Sequence, residues 1–147
     1  MRSCVAVAAA VFVVYAAQGC ATQARQPKLN NAMLAPETVY PGYEGALLTV
    51  ELRDPDGIVD RIDWVVEGYE DQVFTLNDEG ERGDAAAGDG VWSMRVDVPF
   101  NTPKGAYRVT LRAYDSEGRP IIVRGPDDGR VPLTTSLTAV VEYPPEQ

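Results

Sequence analysis

Between Glu67 and Asp89 the chain carries eight carboxylates (Glu67, Glu70, Asp71, Asp78, Glu79, Glu81, Asp84 and Asp89) against one cation, Arg82. Carboxylates at this density suit a hard cation. Ca²⁺ takes about six to eight oxygens, and glycines beside aspartates let a loop wrap carbonyls and carboxylates around one point. Asp78, Asp84 and Asp89, interleaved with Gly80, Gly83, Gly88 and Gly90, are the candidate metal ligands. The spacing is not that of an EF-hand, because no correctly placed Glu follows Gly90. The same residues serve a purely structural reading. Asp78, Asp84 and Asp89 can accept bonds from nearby backbone in Asx-turns, while the four glycines supply positive φ. No cofactor is required, and Ca²⁺ is the one this loop could hold.

Other chemistries are narrower. The sequence contains no histidine, which removes Ser-His-Asp and Cys-His catalysis and His-ligated zinc. Paired carboxylates run glycoside hydrolysis, but a small lone domain is expected to offer no cleft that would raise one carboxyl's pKa. No enzyme activity and no small-molecule substrate are therefore expected. Trp64, Trp92 and Tyr107 could stack against a sugar, yet each falls on the apolar face of its segment and is assigned to the structural core. Tyr69, Tyr114 and Tyr143 are the better candidates for exposed aromatic contacts.

A second kind of chemistry sits at the N-terminus. Met1-Arg2-Ser3-Cys4 precedes an apolar run from Val5 to Ala17, 13 residues long, and the exit reads Ala17-Gln18-Gly19-Cys20. A basic start, a short apolar stretch and small residues at its end describe a secretory signal peptide over residues 1–19. A membrane-spanning helix needs roughly 20 apolar residues. Ala17-x-Gly19 alone suits an ordinary signal peptidase, leaving Cys20 as an incidental first residue. The junction also resembles a lipobox, in which a Cys after small residues receives diacylglycerol and becomes the new N-terminus. It departs from that pattern at Ala17, where Leu is usual. The resemblance implies lipidation of Cys20, with palmitate among the acyl groups. It also implies a bacterial cell-envelope location anchored through the N-terminal lipid. Ala21 after the cysteine points to the outer membrane. Cysteine usage agrees: of two cysteines, Cys4 leaves with the leader and Cys20 stands at the cut. No disulfide can then form in the mature chain, although it enters an oxidising compartment.

Removal of residues 1–19 leaves 128, an ordinary single domain. Arg2 leaves with the leader, so 12 of the 13 basic side chains face 22 acidic ones, a charge of −10. That surface repels nucleic acid and anionic headgroups. Residues 20–35 show no sustained period and read as the acylated Cys and a flexible tether, typically ~20 Å end to end. From Pro36 to Gln147 the period is two. Leu48, Val50 and Leu52 share one face; Ile62, Trp64 and Val66 share another. Trp92, Met94, Val96 and Val98 alternate with Ser93, Arg95 and Asp97. Tyr107, Val109, Leu111 and Ala113 form one inward set, and Leu137, Ala139 and Val141 form the last. Phe74 and Leu76 mark a short strand. Asp54-Pro55-Asp56-Gly57 is a turn, and Pro126-Asp127-Asp128-Gly129 either closes an extra hairpin or interrupts the final strand. About seven short strands without a helix predict an all-β, antiparallel sandwich, because two sheets must meet to keep the apolar faces dry.

Several local patterns together resemble the immunoglobulin-like and fibronectin-type-III-like sandwiches of bacterial surface proteins. Trp64 lies mid-strand after Asp56-Gly57-Ile58, where such domains place a core tryptophan. Gly105-Ala106-Tyr107-Arg108-Val109 resembles a tyrosine corner, whose hydroxyl bonds back to nearby backbone. Val109 stands where antibody domains have a cysteine. The run from Asp78 to Trp92 is similar to the D-x-G-x-x-G-D-x-x-x-G-D-G-x-aromatic loop of sandwiches of the choice-of-anchor X kind. The resemblance spans about Pro36 to Pro120 and speaks to fold more than to function. Together with the lipobox and the absence of catalytic residue sets, the expectation is a non-catalytic, lipid-anchored envelope module for binding or structure. The alternative is an accessory subunit of a secretion or surface-polymer complex, meeting an envelope protein partner through the acidic loop or an open strand edge.

Overall fold

Strand structure begins earlier than the period of the sequence suggests. The computed structural model describes residues 25–144; Cys20, the leader and residues 21–24 lie outside the described residues. Lys28–Ala35 forms β1, paired antiparallel with β3 (Ala46–Arg53). The reading of 20–35 as a tether is therefore corrected from Arg25 onward. The reason is a β-bulge. Leu29 faces Leu52 and Leu34 faces Leu48, so β1 spends five residues where β3 spends four, with the register shifting between Asn30 and Met33 and Asn31 at φ 51°. The extra residue brings two leucines of opposite parity onto the same buried face. A strict period of two cannot register such a strand.

The remaining strands are β2 (Thr38–Val39), β4 (Arg61–Val66), β5 (Phe74–Thr75), β6 (Val91–Val96), β7 (Gly105–Tyr114), β8 (Ile122–Arg124), β9 (Arg130–Pro132) and β10 (Thr134–Val141). Ten strands replace the seven expected. The described residues contain no helix, and none is long and apolar enough to cross a membrane. One sheet runs β1-β3-β6 and the other β2-β10-β7-β4-β5. All pairings are antiparallel except β2 with β10. Hence the chain is an all-β sandwich of the immunoglobulin or fibronectin III type. β8 and β9 pair as a separate hairpin, closed where Gly125 donates to Gly129 and Asp128 donates back to Gly125. That resolves the Pro126–Gly129 turn as an extra hairpin.

The two sheets meet over Leu48, Val50, Ile62, Leu76 and Leu111, all essentially solvent-free. Burying each such side chain contributes about 1.5–3 kcal/mol. Trp64, 5% exposed, stacks on Phe74 at 4.5 Å and points its indole N–H at Met94 Sδ, 3.3 Å away. Trp92 is half-buried against this core rather than enclosed in it. Tyr107 is also half-buried, and its hydroxyl donates to the Pro103 carbonyl at 2.6 Å, the bond of a tyrosine corner. At the end where the chain enters, Arg25 pairs with Asp56 in the β3–β4 turn. Asp54 holds that turn by accepting from the amides of Ile58 and Val59.

Candidate functional site

The acidic segment between β5 and β6 folds back along the edge of β6. Asn77 and Ser93 exchange backbone bonds of 3.1 and 2.8 Å, and the Arg95 amide donates to the Arg82 carbonyl at 3.2 Å. The Val91 amide donates to Asp89 Oδ1 at 2.8 Å. The edge-facing amides of Val91, Ser93 and Arg95 are thus all occupied. An irregular loop replaces an edge strand and denies that edge to another chain. Ser93, expected to face solvent, is only 2% exposed because the loop covers it. Gly83 permits the close approach. Its φ is +102°, and a Cβ there would lie 2.9 Å from Arg95 Cγ and 3.0 Å from Leu47 Cδ1. No side chain fits between loop and sheet at that point.

Of the eight carboxylates, three converge. Oxygens of Asp78, Asp84 and Asp89 lie within 4.8 Å of one another, and no other metal-capable cluster occurs among the described residues. Oxygens on opposite sides of a Ca²⁺ ion stand at most about 5 Å apart, given bonds of about 2.4 Å. The triad therefore fits such an ion. Each carboxylate nevertheless already has a structural partner. Asp84 Oδ2 accepts from the Gly80 amide at 2.6 Å, Asp78 Oδ1 from the Gly88 amide at 3.0 Å, and Asp89 from Val91. Asp84 is 6% exposed, and its second oxygen lies 3.5 Å from Ser93 Oγ. Gly80, Gly83, Gly88 and Gly90 all adopt positive φ. The same residues that could hold a cation hold the loop without one. Glu67, Glu70 and Asp71 lie on the separate β4–β5 loop, and Glu79 pairs with Arg82 at 3.7 Å.

The electrostatic cost of this convergence falls on Asp78. Desolvation raises its pKa, a backbone bond from Gly90 opposes the rise, and the charges of Asp84 and Asp89 add to it. A carboxyl whose pKa is higher folded than unfolded contributes stability that is complete below its unfolded value and lost as pH rises through the folded one. At pH 7 the ionised Asp78 is therefore a net burden. Asp78→Asn keeps the acceptor for Gly88 and supplies an N–H toward Asp89. It is expected to melt above wild type at pH 7 in EDTA, with the gain shrinking as pH falls toward 4. Thermal denaturation across that range checks this. A variant that instead melts below wild type in millimolar Ca²⁺, but not in NaCl of equal ionic strength, would identify the triad as a cation site.

A second feature was not anticipated from the sequence. At the end of the sandwich away from Arg25 the sheets part around an apolar cavity of about 530 Å³, bounded by Trp64, Met94, Val109, Ala139 and the loops holding Tyr69 and Pro99. The expectation of no cleft is thus corrected: the loop joining β6 to β7 lines the cavity, and Met94, Val96 and Val98 beside it are only half-buried. Aromatic residues gather here. Tyr40 and Tyr43 meet edge to face at 5.1 Å, Tyr69 and Tyr107 lie 6.3 Å apart, and Phe100, 84% exposed, rests on the backbone of Gly42. Tyr69 and Tyr143 are exposed, while Tyr114 is half-buried with Arg61 4.6 Å over its ring. The signal for this end was present in the sequence as aromatics in three separate loops, those holding Tyr40 and Tyr43, Tyr69, and Phe100, but nothing local says that those loops are neighbours.

No protein-family model and no curated protein matches the sequence. Among solved structures, the chain is similar to the endo-beta-1,4-mannanase from Thermotoga petrophila at 14% identity and TM-score 0.46. That match covers 81% of this chain and 20% of the mannanase, so the chain spans about a fifth of that protein's length. It is also similar to the fibronectin(III)-like modules of Clostridium thermocellum CbhA at 17% identity and TM-score 0.42, covering 80% of this chain and 98% of that one.

Proposed function

We propose that the chain is a non-catalytic, lipid-anchored module of the bacterial envelope, held through Cys20 and presenting the far end of its sandwich for binding. The observation that carries this reading is the polarity of the domain. The link toward Cys20 leaves at Arg25, beside Asp56, whereas Tyr40, Tyr69, Val73, Phe100 and Tyr143 are exposed around the opposite end. β1 separates the two, and Lys28 to Leu34 is about 20 Å of strand. Cys20 precedes Arg25 by five residues, a reach of at most ~18 Å. An anchor that short keeps the entry end toward the membrane and turns the aromatic end outward. Catalysis has little to work with there. The chain has no histidine, and the cavity wall includes one carboxylate, Asp97, rather than the facing pair that glycoside hydrolysis uses.

Anchoring is tested directly. A single acyl chain binds membranes marginally, whereas two or more hold stably. Metabolic labelling with a radioactive fatty acid is expected to mark wild type and not Cys20→Ser, and the variant should leave the membrane fraction or remain unprocessed. A wild type that takes up no label and fractionates with soluble protein would refute the lipobox reading.

A further inference from the structure

The cavity at the far end has the wall of a ligand site rather than of a closed core. Its volume of about 530 Å³ lies within the range of about 300–1,000 Å³ usual for small-molecule pockets. Its deep wall is built from core residues: Trp64, Val109 and Ala139 are buried and face it directly. Water against such a wall forfeits the dispersion contacts of a close-packed interior, and an alkyl chain would restore them. The rim supplies the rest of the specificity. Tyr69 and Gln72 line the opening, and the loop that carries them also bears Glu67, Glu70 and Asp71, all exposed. On the facing loop Asp97 lines the cavity, and Lys104 follows Pro103 as that loop's one cation. Arg95 borders the cavity from the outer face of β6, where its stem meets Gly83. The mouth is therefore net acidic and aromatic, a combination that attracts an ammonium group and repels a carboxylate or phosphate.

A peptide strand is the less suitable occupant. Strand addition needs free main-chain donors at a sheet edge, and those of Val91, Ser93 and Arg95 beside the cavity are already taken by the acidic loop. We propose that the cavity is a binding site for a single-chain amphiphile with a cationic head, its chain lying between the sheets against Trp64 and its head at the mouth, where Tyr69 and Gln72 line the opening and the exposed Glu70 and Asp71 stand between them in the chain. This rests on the reading of the far end as a binding surface, but not on the lipid anchor.

Trp64 reports on its own site. The chain has two tryptophans, so Trp92→Phe leaves Trp64 as the sole emitter. The full chain carrying that substitution, in vesicle-free buffer, is titrated with ω-bromo-octylamine and with ω-bromo-octanoate, whose bromine quenches indole on contact. Saturable quenching is expected for the amine, with an apparent Kd about fivefold below that for the carboxylate. Ala139→Leu, which fills the cavity, should abolish it. If that variant fails to fold, the exposed pair Glu70→Lys with Asp71→Lys should reverse the preference toward the carboxylate. Quenching that is absent, does not saturate, is equal for both probes, or survives either set of substitutions unchanged would overturn the proposal. None of these outcomes bears on fatty-acid labelling of Cys20, so the two readings fail separately.

Discussion

Truncating Trp64 to Ala is expected to cost about 3–5 kcal/mol in chemical denaturation, the cost typical of removing a large buried aromatic. The side chain is almost fully enclosed in the middle of β4, across from Leu111 on β7 and Phe74 on β5. It is the wall against which Phe74 stacks and toward which Met94 turns its sulfur. Removing it empties space beside a cavity that neighbouring side chains already fail to fill, so little collapse can compensate. Against a total stability of about 5–15 kcal/mol, such a loss leaves the variant partly unfolded at physiological temperature. Trp92→Phe provides the contrast: the half-buried ring should cost about 1 kcal/mol or less. A Trp64→Ala loss below about 1 kcal/mol would contradict the packing described for β4. Any fragment used for this measurement must include β1. A piece beginning at Pro36 lacks Leu29 and Leu34, both part of the core, and uncovers the free edge of β3.

Asp84→Ala is expected to have the second-largest effect, about 1.5–3 kcal/mol, the range for hydrogen bonds to a charged group. Asp84 is the buried member of the triad and clamps the loop by receiving the Gly80 amide while lying against Ser93 Oγ. With the carboxylate gone, the Ser93 hydroxyl remains buried without that partner, and the loop loses its tie across the Gly80–Asp84 turn. The loss should spread along the β6 edge. Faster hydrogen exchange at the Ser93 and Arg95 amides, which the loop covers at Asn77 and Arg82, would show the cover lifting. An uncovered edge is also a template for association, so the variant should oligomerise at concentrations where wild type does not. Asp84→Asn keeps an acceptor for Gly80 and should lose less than half as much. Equal exchange rates in wild type and Asp84→Ala would mean that the loop holds the edge by other contacts.

The two substitutions act on opposite faces of the same sheet region. Trp64 supports β6 from inside through Met94, and Asp84 supports it from outside through Ser93. Such contacts share neighbours, so their effects should not add in the double variant.

What the sequence determined by itself was the period of two over Ala46–Arg53, Arg61–Val66 and Gly105–Tyr114, and with it an all-β fold. Successive side chains of a strand point to opposite faces, so a one-sided apolar pattern needs no knowledge of the partner strand. The exclusion of histidine chemistry likewise needs only the composition. The tertiary structure decided what depended on distant partners. β1 escaped the period because a bulge at Asn31 places Leu29 and Leu34 on one face. Ser93 looked solvent-facing because its cover comes from residues 77–84, which the alternation of β6 cannot reveal. That Asp78, Asp84 and Asp89 meet, while Glu67, Glu70 and Asp71 do not join them, follows from where the Asn77–Ser93 bridge pins the loop. The cavity is lined together by Leu34 of β1, Trp64 of β4, Met94 of β6, Val109 of β7 and Ala139 of β10, residues far apart in the chain. Backbone geometry writes its period into neighbouring residues, but the spacing between two sheets is set by side chains far apart in the chain, and no local pattern carries it.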